Sequence, residues 1–65
     1  MTWYEVSGRD KDGRLVFHLA VEAPTEQVAK LYATAALQRT PDGAVAAYSA
    51  VQITAKRTKR KEVRG

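Results

Sequence analysis

The chain has 65 residues, a formal charge of +4, one histidine and no cysteine. That length supports one domain, and such a domain buries only ~60% of the surface its unfolded chain exposes. Without cysteine there is no disulfide and no thiolate metal site, and His18 alone does not make a zinc centre. A core this small supplies no more than ~3–5 kcal/mol, so a protein partner or a second copy is an expected source of further stability.

The charge is unevenly placed. Residues 56–65, "KRTKRKEVRG", set Lys56, Arg57, Lys59, Arg60, Lys61 and Arg64 against Glu62, a charge of +5, while residues 1–55 carry −1. The chain divides accordingly into a nearly neutral domain over 1–55 and a basic C-terminal tail over 56–65. Such asymmetry bears on partners rather than on fold.

"TWYEVSG" alternates as a first strand, with Trp3 and Glu5 on one face and Tyr4 and Val6 on the other. "RDKDGR" supplies the Asp and Gly of a tight hairpin turn. In the second strand, "RLVFHLAVEA", Leu15, Phe17, Leu19 and Val21 form an apolar face, opposite Val16, His18, Ala20 and Glu22. The period then changes. Thr25 is a candidate N-cap, Glu26 suits the first turn, and Val28, Leu31, Tyr32 and Ala35 fall at helical spacing. Pro41 and Gly43 of "TPDG" are expected to end that helix. Residues 44–47 read equally as a helical turn or as the start of a strand, and "YSAVQITAKR" reads as the third strand.

These elements predict an α+β fold: a single ββαβ domain whose helix packs on one face of a three-stranded, mostly antiparallel sheet. A right-handed crossover makes strands two and three parallel, and placing strand one between them makes both neighbouring pairs antiparallel. The other sheet face is left open, and function is expected there.

The pattern Trp3-Tyr4-x-Val6, Asp10-x-x-Gly13, Val21-x-Ala23-x-Thr25 and Ala29 resembles small uncharacterised β-β-α-β proteins of actinobacteria and their phages. The layout is also similar to that of the archaeal ribosomal LX family. These resemblances imply a hairpin followed by a helix over roughly residues 3–55, and they assign no functional residue.

No catalytic or cofactor motif stands out. "DKDG" fails as a calcium loop, because aligning Gly13 with the loop glycine puts Gly8 and Leu19 at ligand positions. His18 has no cysteine nucleophile to activate and no supporting motif around Ser7 or Ser49. The glycines form neither a phosphate loop nor a dinucleotide fingerprint. The longest uncharged run, residues 43–55, is too short to span a bilayer. The N-terminus lacks the basic start and apolar stretch of a signal peptide. The expected setting is the cytoplasm of a bacterium or of a phage-infected host.

The expected activity is therefore non-enzymatic, without cofactor or small-molecule substrate. A phage or bacterial accessory factor would bind a host protein, or itself, through the open sheet face and an edge strand, with Trp3, Val16, His18 and Tyr48 as anchors. The alternative is DNA, RNA or ribosome binding through Lys56, Arg57, Lys59, Arg60, Lys61 and Arg64. Six phosphate contacts would give a log–log salt slope of about −5.

Overall fold

The computed structural model describes residues 2–58. Two strands, β1 (Thr2–Arg9) and β2 (Leu15–Ala23), precede two helices, α1 (Glu26–Leu37) and α2 (Pro41–Ser49), and β3 (Gln52–Arg57) closes the order. The sheet order is β2-β1-β3 with both neighbouring pairs antiparallel. The expected α+β class and the central position of β1 hold, but the order is ββααβ, with one helix more than expected.

Turn chemistry makes the hairpin. The Asp10 carboxylate accepts from the N–H groups of Asp12 and Arg14, and Gly13 takes φ 84°, a conformation that L side chains resist. Gly8 pairs with Phe17 and Arg9 with Leu15, so Val16 is left over as a bulge residue. This breaks the expected alternation of β2. Leu15 leaves the core face and is 52% exposed, whereas Val16 is half-buried against the core.

The core is Tyr4, Val6, Phe17, Ala23, Ala29 and Ala33. The large side chains and Ala23 come from the sheet, while Ala29 and Ala33 come from α1, which touches all three strands. Thr25 caps α1 as expected, its hydroxyl accepting from the Val28 N–H at 3.2 Å. The buried stripe differs from the expected one. Of the expected stripe Val28 packs against the core, but Leu31, Tyr32 and Ala35 are exposed, and Ala29, Ala33 and the half-buried Leu37 recur every four residues toward the core instead. Alanine methyls let the helix axis approach strands that already carry Tyr4 and Phe17, and bulkier residues at those positions would hold it off.

"TPDG" starts a helix instead of only ending one. The Thr40 hydroxyl accepts from the Gly43 N–H at 3.0 Å, and Pro41 occupies the first helical turn, where a missing N–H costs nothing. Residues 44–47, ambiguous between helix and strand, are helical, and Gly43 keeps negative φ. Consequently Tyr48 and Ser49 belong to α2, not to the third strand. β3 begins later and runs through Lys56 and Arg57, which pair with Glu5 and Tyr4 of β1. The expected domain boundary after Ala55 therefore falls inside a strand.

Candidate functional site

The open sheet face carries Trp3, Glu5 and Ser7 from β1, His18, Ala20 and Glu22 from β2, and Gln52, Thr54 and Lys56 from β3. It is a polar surface with one large aromatic. Glu5 stands between Ala20 and Lys56 in the ladders, and its Oε1 lies 3.7 Å from His18 Nε2, with both side chains about half exposed. Of the expected interface set, Trp3 and His18 reach this face. Val16 packs against the core instead, and Tyr48 stands on α2 with 91% of its surface exposed. The structure does not bring the four together. The bulge displaced Val16, and Thr40 capping moved Tyr48 from strand to helix.

The exposed apolar side chains lie mainly on the helical layer. Leu31 is 66% exposed, and Tyr32, Val45, Tyr48 and Val51 are also at the surface. A groove between α1 and β3 is lined by Gln27, Lys30, Leu31, Thr34 and Ile53. A second groove, between α1 and α2, is lined by Thr34, Gln38, Ala44, Val45, Ala47 and Tyr48. Thr34 belongs to both. Its hydroxyl donates into α1, to the carbonyls of Lys30 and Leu31, so it makes no polar demand on the grooves.

β3 forms an edge of the sheet, and among the described residues nothing pairs with its outer side. The Thr58 N–H donates to the Trp3 carbonyl at 3.0 Å, which sets the phase of the β1–β3 ladder. In an antiparallel pair, hydrogen-bonded and non-bonded positions alternate. Gln52, Thr54 and Lys56 thus direct their backbone groups at β1, while Ile53, Ala55 and Arg57 direct theirs outward. The side chains of those outward residues lie on the helical side, as their ladder partners Gly8, Val6 and Tyr4 do. Free backbone groups and the α1–β3 groove therefore occur along the same strip.

Lys30, Lys56 and Arg57 surround this strip. Among the described residues, these three cations have no carboxylate within 4.0 Å. Lys59, Arg60, Lys61 and Arg64 of the expected basic set lie outside the described residues. Among the described residues, no group of three or more His, Cys, Asp or Glu side chains could hold a metal ion, and no helix is long and apolar enough to cross a membrane. Compared with protein-family models, curated proteins and solved structures, the chain matches none.

The expected central place of β1 already makes β3 an edge, but which of its backbone groups face outward depends on the ladder phase, which the sequence does not show. The exposed Leu31 was hidden in the sequence by its plausible place in a helical apolar stripe.

Proposed function

We propose that this chain is a small non-enzymatic protein-binding module that takes an extended segment of a partner protein as a further strand on β3. One observation carries the reading: the outward backbone groups of Ile53, Ala55 and Arg57 run beside an apolar groove lined by Leu31, Thr34 and Ile53. Edge addition gains main-chain hydrogen bonds for affinity and uses alternate side-chain pockets for specificity. The open face supports docking less well, because apart from Trp3 its side chains are polar or small.

The test is capture from nuclease-treated bacterial lysate by the full chain and by Leu31→Glu and Trp3→Ala variants. A bound protein should be retained by the wild type and by Trp3→Ala, and lost with Leu31→Glu. Equal capture by all three chains would sink the edge reading. Loss with Trp3→Ala alone would return the site to the open face.

A second reading is supported by the +5 charge of residues 56–65: the chain binds nucleic acid through this segment. A gel shift at low ionic strength separates the two. Salt-sensitive retardation that disappears when residues 59–65 are removed would favour nucleic acid.

A further inference from the structure

The chemistry of the strip specifies what kind of segment it accepts, an inference that rests on the docking reading above. We infer that the partner segment runs antiparallel to β3 and reads acid-acid-apolar-polar-apolar from its N-terminal end. The ladder phase supplies the alternation. Residues of an added strand that lie opposite Ile53 and Ala55 point to the helical side, where Leu31, Thr34 and Ile53 line the groove. These two positions are apolar. The residue opposite Thr54 points to the open face, beside Gln52, Thr54 and Lys56, and is polar.

Charge determines the other end. Lys56 lies on the open face and Arg57 on the helical side, at the far end of the same edge. Successive residues of the incoming strand therefore meet a cation on each face. Glu5 stands across the ladder from Lys56, but among the described residues no carboxylate comes within 4.0 Å of either cation, and Lys30 adds a third positive charge to the groove lining. An acid opposite each of Lys56 and Arg57 gives the cross-strand opposite-charge pairs that favour sheet addition. This charge pattern also selects against a second copy as the occupant, because a chain of net charge +4 brings its own Lys30, Lys56 and Arg57 to the same edge. Antiparallel direction follows from the stronger ladder and from the predominance of antiparallel pairing.

The probe is a labelled hexapeptide, Glu-Glu-Val-Thr-Val-Thr, titrated into the ¹⁵N-labelled full chain. Three comparison peptides accompany it: Gln-Gln-Val-Thr-Val-Thr, Lys-Lys-Val-Thr-Val-Thr and the shifted Glu-Glu-Thr-Val-Thr-Val. The acidic alternating peptide should bind tightest, about tenfold above the Gln-Gln form at low salt, with the gap closing as salt rises. Amide shifts should centre on Ile53, Ala55 and Arg57.

Ala55→Pro removes an outward N–H from an edge strand, a position where proline is tolerated, and should abolish binding. Because that variant could disturb the fold, a charge swap provides an independent arm. The double variant Lys56→Glu, Arg57→Glu should reverse the order, preferring Lys-Lys to Glu-Glu. Equal binding of the Gln-Gln and Glu-Glu peptides would overturn the acidic assignment while leaving edge docking in place. Equal binding of the shifted peptide would overturn the alternation. If no peptide binds and the chain sediments as a dimer that Leu31→Glu dissociates, the occupant is a second copy and the inference fails. If no peptide binds and the chain is a monomer, the peptide inference fails, and the lysate capture decides the docking reading separately.

Discussion

Gly8 of β1 lies directly across the ladder from Phe17 of β2, so close that any Cβ at Gly8 would collide with the aromatic ring. The contact sits beside the bulge that releases Val16 from strict pairing. An alanine at Gly8 must push the ring out of the core or push β1 away from it. Overpacking of this kind costs typically ~1–3 kcal/mol. Urea unfolding of Gly8→Ala should show a lower midpoint with an unchanged slope. An unaltered midpoint would mean that the ring has room to move.

The hairpin turn depends on backbone conformation and not on contacts. Gly13 has φ 84°, and a methyl group added there would meet nothing within 4 Å. Gly13→Ala should therefore cost about 1 kcal/mol through the left-handed conformation alone. A combined Gly8→Ala, Gly13→Ala chain tests whether the two losses add, as independent mechanisms should.

Both helices are started by threonine. Thr25 accepts from Val28, and Thr40 accepts from Gly43. Removing either hydroxyl by Thr→Ala leaves a first-turn N–H without its partner and should cost about 1 kcal/mol. Circular dichroism during thermal unfolding would register each loss. A Thr40→Ala chain as stable as wild type would question the start of α2.

Surface and core positions on α1 should respond in opposite ways. Leu31→Glu replaces a largely exposed side chain and should change stability by no more than about 0.5 kcal/mol. Ala33→Leu forces added volume into a fully buried site and should cost ~1–3 kcal/mol. The pair discriminates the observed stripe from the alternative in which Leu31 faces the core.

The edge assignment has a direct readout in amide exchange. The N–H groups of Thr54 and Lys56 are bonded to β1, whereas those of Ile53, Ala55 and Arg57 point outward. Alternating slow and fast exchange along β3 is expected in the free chain. A bound segment should slow the fast set. Uniform protection without a ligand would mean that the edge is already covered.

Much of the fold was legible in local chemistry. Tyr4 and Val6 share a face opposite Trp3 and Glu5, the Asp10–Gly13 turn closes the hairpin, and Thr25 caps α1, all within a few residues of sequence. The errors arose where two local readings competed. "TPDG" can stop one helix and start another, and only the Thr40 hydroxyl on the Gly43 N–H shows which it does. That choice moved Tyr48 from a strand to a helix and dispersed the expected interface.

The sequence by itself determined the elements whose cause is short-ranged: alternation, turn residues, a cap, and a basic C-terminal segment. Tertiary structure alone decided which face of α1 is buried, because Ala29 and Ala33 win by allowing close approach to strands that carry Tyr4 and Phe17, although Leu31 is more apolar. It also decided the docking strip. The central place of β1 was legible, but which backbone groups of β3 remain free depends on a ladder phase set by Trp3 and Thr58, residues distant in sequence.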